Sequence, residues 1–285
     1  MTKFVAVGLG YSAKATAANL NRQGWHIAGT ARGEDGLAAI RVRGYEAVPF
    51  SGDAPSAALG KALREATHLL LSAPPGAGGD PLIAHHRDDL EAASGLTWIG
   101  YLSTIGVYGD HDGGWVDEDT PPVPSAERSQ ARLTAEQAWQ AFGASRGVPV
   151  AVMRLSGIYG PGRSSVDRLR AGSERCVSKP GQVFNRIHVA DIAGAIEASI
   201  ARRIGGVFNI TDDEPAPPQD VITFAAELLG IEPPPLVDWR DADLTPMGRS
   251  FYAENRRVRN ERMKTVLGVR LRYPTYREGL RDLLT

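Results

Sequence analysis

A single cysteine, Cys176, stands in 285 residues, so neither an intrachain disulfide nor a cysteine-rich metal site can form. A lone thiol suits a reducing compartment. Histidine is also scarce, and His85, His86 and His111, with the acidic run 110–119, lack a metal-ligand spacing. Neither sign of charge dominates: 32 Lys and Arg face 33 Asp and Glu, a formal net charge of −1. That balance excludes the strongly basic face of a dedicated nucleic-acid binder and the acidic tail of a charge-driven partner. No apolar run approaches the ~20 residues that a membrane-spanning helix needs. The apolar strand beginning at Lys3 leaves no room for a cleavable signal peptide. A cytoplasmic protein without membrane or nucleic-acid partners is therefore expected. Repeats and low-complexity tracts are absent, and the most loop-like stretches are 74–79 and 232–235.

What is present is an alternation of strands and helices. Residues 3–7 form a short apolar run ending in Gly8, and 12–22 follow with helical spacing through Ala13, Thr16, Ala17 and Leu20. Gly24 stands where a helix end wants a left-handed residue. Strands are expected over 25–31, 47–50 and 67–72. The last carries Leu69, Leu70 and Leu71 in succession, as in a strand buried on both faces. Asp80 followed by Pro81 supplies an N-cap and a first-turn proline, opening a helix to about 93. A strand at 97–103, a long helix from 125 to about 144 and a strand at 148–155 continue the series. Short crossovers between such elements imply the α/β class, with a doubly wound parallel sheet. Beyond Gly157 come glycine-rich loops, helices over 191–203 and 218–229, and a strand at 206–210.

Gly8-Leu9-Gly10-Tyr11-Ser12-Ala13 reads G-x-G-x-x-A between a strand and a helix. Gly8 permits the tight turn, Gly10 lets the backbone approach a pyrophosphate, and Ala13 lets the helix sit close to the sheet. Tyr11 and Ser12 open a helix whose unpaired N–H groups and partial positive charge suit phosphates. The strand–turn–helix context makes the pattern a dinucleotide site. An NAD-specific site carries Asp or Glu about 20 residues past the glycines. Thr30 and Arg32 stand there instead, and the first carboxylates are Glu34 and Asp35. A hydroxyl and a guanidinium suit a 2′-phosphate. NADP(H) is thus the expected cofactor, with NAD as the alternative. The expected organisation is a dinucleotide-binding domain over 1–156 and a smaller C-terminal substrate lobe over 157–285. Residues 185–210, approximately, return to the core of the first domain.

Two further segments carry a family resemblance. Ser103-Thr104-Ile105-Gly106-Val107-Tyr108-Gly109 is followed by Arg128-Ser129-Gln130-Ala131-Arg132-Leu133-Thr134-Ala135-Glu136. Together they resemble the active site of the extended short-chain dehydrogenase/reductase superfamily, the NAD-dependent epimerase/dehydratase type. The resemblance continues in order through Ser72-Ala73-Pro74, the 154–162 segment ending Tyr159-Gly160-Pro161-Gly162, the 185–193 segment around His188, and 206–210. It implies a Rossmann fold, a cofactor whose inner ribose and phosphates lie along Ser72, Ala73 and Pro74, and a substrate oxygen bound by Thr104. The family places a Tyr and a Lys where this chain has Arg128 and Arg132. A guanidinium stays protonated at ordinary pH, so neither can serve as the proton donor. Each can hold a carboxylate or phosphate with its planar fork of donors, or simply be a solvated helix charge.

Tyr108, Tyr159 and His188 are the remaining acid–base candidates. The glycine-rich 109–115 segment reads as a mobile loop over a pocket, and Asp212-Asp213-Glu214 as a solvated turn. Arg163, Arg168 and Arg170 read as the lining of an anionic site or as exposed helix charge. Leu133, Ala138, Trp139 and Phe142 fit either a homodimer interface or packing on the sheet. The resemblance implies an NADP(H)-binding oxidoreductase or epimerase/dehydratase acting on a small carbonyl-bearing or sugar-like, anionic substrate. Its candidate catalytic residues are Thr104, Tyr108, Arg128 and Arg132. The alternative is a catalytically silent NADP(H)-sensing protein.

Overall fold

A computed structural model of the chain describes residues 2–76 and 78–284. The elements run β1 (Lys3–Val7), α1 (Tyr11–Arg22), β2 (His26–Ala31), α2 (Glu34–Arg41), β3 (Glu46–Pro49), α3 (Ala57–Arg64), β4 (His68–Leu71), α4 (Pro81–Glu91) and β5 (Trp98–Thr104). Next come β6 (Trp115–Val116), α5 (Glu127–Arg146), β7 (Val150–Leu155), β8 (Gly157–Tyr159), α6 (Ser165–Arg170), β9 (Cys176–Ser178) and β10 (Arg186–His188). The chain continues through α7 (Val189–Arg202), β11 (Gly206–Ile210), α8 (Pro218–Leu229), β12 (Leu236–Asp238), α9 (Pro246–Tyr252), β13 (Arg257–Val258), α10 (Glu261–Thr265) and α11 (Tyr276–Asp282). None of the described helices is long and apolar enough to cross a membrane.

Seven strands form one sheet in the order β11-β7-β5-β4-β1-β2-β3. β1 pairs in parallel with both β2 and β4, so the winding direction reverses there. In open α/β sheets ligands bind at such a reversal, beyond the carboxyl ends of the strands. This is the expected doubly wound α/β architecture. Alternate residues of each strand serve opposite faces. Ile99 and Tyr101 of β5 join a core with Leu59 and Leu63 of α3, Leu82 and Leu90 of α4, and Trp139 and Phe142 of α5. Trp98 faces the other way, donating from Nε1 to Ser199 of α7 at 2.9 Å. Trp139 and Phe142 are thus committed to the sheet, while Leu133 and Ala138 of the same helix are half-buried.

Two helices beyond those expected from the sequence, α2 and α3, each carry a glycine. Both glycines serve close packing. A Cβ on Gly60 would lie 2.5 Å from the Asp89 carboxylate of α4, and one on Gly36 would lie 2.8 Å from Ala31. Asp80 caps α4 as expected, accepting from Leu82 N–H at 2.9 Å. Gly230 ends α8 in the left-handed region at φ 66°.

By contacts the chain divides into a first unit (1–104, 127–154 and 192–208) and a second (105–126, 155–191 and 209–285). The division differs from a single cut at 156. Residues 105–126 group with the second unit, and the returning segment is the narrower 192–208. The second unit has its own core, in which Tyr159, Val166, Leu169 and Cys176 pack with Val221, Ile222 and Ala225 of α8 and Tyr276 and Leu280 of α11.

Candidate functional site

The turn after β1 is held by the neighbouring strands. Gly8 lies at φ 84°, open to glycine and strained for other residues. Its N–H donates to Thr30 Oγ1 at 2.7 Å, and Leu9 N–H donates to the Thr30 carbonyl at 3.0 Å. On the other side the Val7 carbonyl accepts from Ser72 and Ala73, both at 2.9 Å. A Cβ on Gly8 would sit 2.8 Å from Ala73 N, so the glycine is required by both torsion and space. Gly10 is exposed and begins α1, which has no side-chain cap and no acidic residue in its first turn. Ser12 and Ala13 are buried under that turn, Tyr11 is half-buried, and Pro74 is exposed. A helix start with neither a side-chain cap nor a carboxylate in its first turn suits an anion.

Thr30 has a different part from the one expected. It is 3% exposed and its hydroxyl oxygen accepts from Gly8, so it braces the turn. Arg32, just past β2, is exposed. Glu34 pairs with Arg41, which draws that carboxylate along its own helix.

Within the first unit α5 packs against β5 and brings the two arginines toward the strand's carboxyl end. Arg132 is half-buried, donates from Nη1 to the Leu102 carbonyl, and lies 5.9 Å from the centre of the Tyr101 ring. Arg128, one helical turn earlier, is exposed, and Thr104 is half-buried at the end of β5. Beneath them the titratable groups are sealed. Burial raises the Tyr101 phenol well above its ordinary range. Burial also raises Asp80, against hydrogen bonds from Trp139, Leu82 and Ile83 that pull it down.

A buried ion pair, unread in the sequence as a unit, ties these elements together. Arg154 of β7 donates to Glu136 Oε2 at 2.8 Å, and Ser103 Oγ donates to Oε1. The two charged side chains are 5% and 1% exposed. The carboxylate thus joins β5, α5 and β7 one residue before Thr104 and one turn after Arg132. The only available signal was the occurrence of Ser103, Glu136 and Arg154 within matching family segments.

Several second-unit expectations are corrected. Tyr108 is fully buried, and its hydroxyl donates to Asn209 Oδ1 at 2.7 Å, so the phenol is a packing group and not an accessible proton donor. Tyr159 is 7% exposed, and burial raises its phenol well above the ordinary range. His188 accepts from Ala190 N–H at 3.2 Å through Nδ1, and burial lowers it to about 4, leaving a neutral ring between Tyr159 and Tyr273. The 109–115 segment is no mobile lid. His111 and Gly113 donate to the Asn255 carbonyl at 3.0 Å, and β6 pairs with β13. Asp212 is no solvated residue: it is 1% exposed, Oδ2 has no hydrogen-bond partner, and burial holds its carboxyl well above the usual range. Asp213 accepts from Asn260 and Lys264, and Glu214 from Arg277. Arg168 pairs with Glu174 at 2.7 Å, and Arg163 and Arg170 are exposed. Among the described residues no cluster of His, Cys, Asp and Glu could hold a metal.

Residues 89–211 match the NAD dependent epimerase/dehydratase family. A solved structure from Silicibacter pomeroyi DSS, a functionally unknown conserved protein, is 52% identical and covers 100% of this chain and 98% of its own, with a TM-score of 0.91. Protein YeeZ of Escherichia coli (strain K12) is 29% identical over 291 residues, 96% of this chain and 97% of YeeZ. A 3-diazoavenalumate denitrifying reductase from Streptomyces sp is 29% identical over 178 residues, 58% of each chain.

Proposed function

Because the chain belongs to the NAD-dependent epimerase/dehydratase family, the extended branch of the short-chain dehydrogenase/reductases, we propose that it is an NADP(H)-binding oxidoreductase or epimerase/dehydratase. Its substrate is a small carbonyl-bearing or sugar-like anion, and it works in the cytoplasm. The observation that carries this reading is the stitched turn at Gly8, with the uncapped start of α1 beside it. Those residues fit a dinucleotide: a torsion reserved for glycine, an exposed Gly10 whose backbone can be approached closely, and a helix start without a carboxylate. Gly8, Gly10, Tyr11, Ser12 and Ala13 hold the pyrophosphate, and Ser72, Ala73 and Pro74 line the inner ribose. Arg32 faces the 2′-phosphate, a reading supported by the diversion of Glu34 to Arg41. When bound, the cofactor supplies hydride exchange at C4 of its nicotinamide.

Thr104 orients the substrate oxygen, and Arg128 and Arg132 stabilise negative charge on it as fixed donors. Neither guanidinium releases a proton, so water closes the proton balance. The Streptomyces relative favours turnover over silence, since its name is that of a reductase. The second reading is a silent NADP(H) sensor. It is favoured by the burial of Tyr108 and by the bond from Arg132 to the Leu102 carbonyl.

The test is a titration of the protein and of Arg32→Ala with NADPH and NADH, followed by turnover with aldehydes, keto acids and nucleotide sugars. NADPH should bind more tightly than NADH, and Arg32→Ala should lose about tenfold for NADPH, roughly 1.4 kcal/mol. Unchanged NADPH affinity in the variant rejects the 2′-phosphate assignment. Tight NADPH binding without oxidation across the whole panel selects the sensor.

A further inference from the structure

The pair His85-His86 fits no metal spacing, and the cofactor turn makes no use of it. His85 is half-buried on α4. His86 is 2% exposed and leaves helical torsion in the middle of that helix, at φ −134° and ψ 25°. Its imidazole is engaged at both nitrogens. The Ser56 N–H donates to Nε2 at 3.1 Å, which assigns the ring proton to Nδ1, and Nδ1 donates to Asp89 Oδ2 at 2.8 Å. Asp89 is paired in turn with Arg64. The Phe50 ring meets the imidazole edge-on, with centres 5.5 Å apart. A polar chain therefore runs from Arg64 of α3 through α4 to the backbone of Ser56.

Ser56 closes the segment that follows β3. It is the N-cap of α3, its hydroxyl accepting from Leu59 N–H at 3.3 Å. The segment is tethered at both ends. Phe50 N–H donates at 3.1 Å to the carbonyl of Ala31, the last residue of β2, and Ser56 N–H donates to His86. Between the tethers residues 51–55 have no regular structure, and Ser51, Asp53, Ala54 and Pro55 are exposed. Gly52 turns in the left-handed region at φ 95°, and a Cβ there would touch Pro81 of α4 at 3.4 Å. The segment thus forms a rim beyond the carboxyl ends of β2 and β3, bonded to the residue before Arg32. Open α/β sheets bind their ligands at that end.

We propose that His86 is a positioning residue for the adenosine half of a bound dinucleotide: it touches no ligand itself and fixes the 51–55 rim through Ser56. The proposal rests on the dinucleotide reading above, and not on the choice between NADP(H) and NAD(H). An exposed span with one tether released samples many backbone states, and a ligand that orders it must offset that entropy. Tethered at both ends, the rim is ordered before the ligand arrives. Asp89 sets the tautomer, since a ring carrying its proton on Nε2 would aim a donor at the Ser56 N–H.

The experiment is calorimetric titration of the protein, His86→Leu, His86→Gln and Asp89→Ala. The probes are 2′,5′-ADP and 5′-AMP, the adenosine half with and without a 2′-phosphate, and NMNH, the nicotinamide half. His86→Leu should weaken both adenosine probes about tenfold, the equivalent of ordering roughly one residue's backbone, with NMNH affinity unchanged. His86→Gln keeps an acceptor at the Nε2 position and should recover most of the parent affinity. Asp89→Ala leaves the core ring in place and should shift the same probes in the same direction, which decides the proposal even where His86→Leu does not fold. Amide hydrogen exchange at Ser56 should quicken in His86→Leu and Asp89→Ala and not in His86→Gln. Equal losses for NMNH and the adenosine probes, adenosine affinity unmoved by both His86→Leu and Asp89→Ala, or no recovery in His86→Gln overturns the proposal. A folded parent that binds none of the probes removes the dinucleotide reading and this proposal together. A parent that binds them, with variants indistinguishable from it, removes this proposal alone.

Discussion

Replacing Thr30 by valine tests whether the cofactor turn is braced from the second strand. Valine keeps the shape and removes the oxygen that accepts from Gly8 N–H at 2.7 Å. The position is 3% exposed, so no water is at hand to replace the lost acceptor. A buried donor left unsatisfied costs about 1–3 kcal/mol. Unfolding entropy near 2.1 cal/mol/K per residue gives roughly 0.6 kcal/mol/K for a chain of this length, so a cost of about 2 kcal/mol lowers the melting temperature by about 3 °C. The same loss frees Gly8 from its left-handed torsion, and NADPH affinity should fall about tenfold. Thr30→Ser retains the acceptor and should recover most of both. Differential scanning calorimetry and NADPH fluorescence titration read the two effects. A valine variant that melts within about 1 °C of the parent and binds NADPH equally well refutes the brace.

Two further outcomes follow from buried charge. Glu136→Gln leaves the Arg154 guanidinium buried without its carboxylate, and urea unfolding should show a loss of about 3–5 kcal/mol. His68 and His188 are each lowered by burial to about 4, below their ordinary 6.5. Above pH 6.5 both are neutral in the folded and unfolded chain and contribute nothing to the pH dependence. As pH falls from 6.5 to 4 the unfolded chain takes up protons that the folded chain refuses, so stability drops by up to about 3 kcal/mol per ring. Buried Asp212 and Asp191, held above their ordinary range, act with the opposite sign. The difference between the parent and His188→Asn in urea midpoint from pH 7.5 to 4.5 therefore isolates one ring. An identical pH slope in both proteins contradicts the burial argument.

Features set by a few adjacent residues were legible. Asp80-Pro81 marked the start of α4, Gly230 the end of α8, and Gly8 to Ala13 the turn between strand and helix. Each is a local preference of backbone torsion or capping, so the order of neighbours suffices to read it. α2 and α3 were not legible in that way, and their glycines, Gly36 and Gly60, answer to the distant packing partners Ala31 and Asp89. Tyr108 carried a familiar motif, and only Asn209, about a hundred residues away, showed that its hydroxyl was occupied. Asp212 sits in an acidic triplet that reads as a surface turn, yet the triplet's first member is sealed in the second unit.

The amino-acid order by itself determined the α/β class, the glycine turn after the first strand, and the placing of two guanidiniums, Arg128 and Arg132, one helical turn apart, because torsion, capping and charge are properties of single residues and short segments. Tertiary structure alone decided which of those groups keep their chemistry. It turned Thr30 into a brace, tied Arg132 to the Leu102 carbonyl, buried Tyr108, and set His86 against the backbone of Ser56. Burial and hydrogen-bond partnership depend on residues distant in the chain, and those two quantities set whether a polar side chain is available or already engaged.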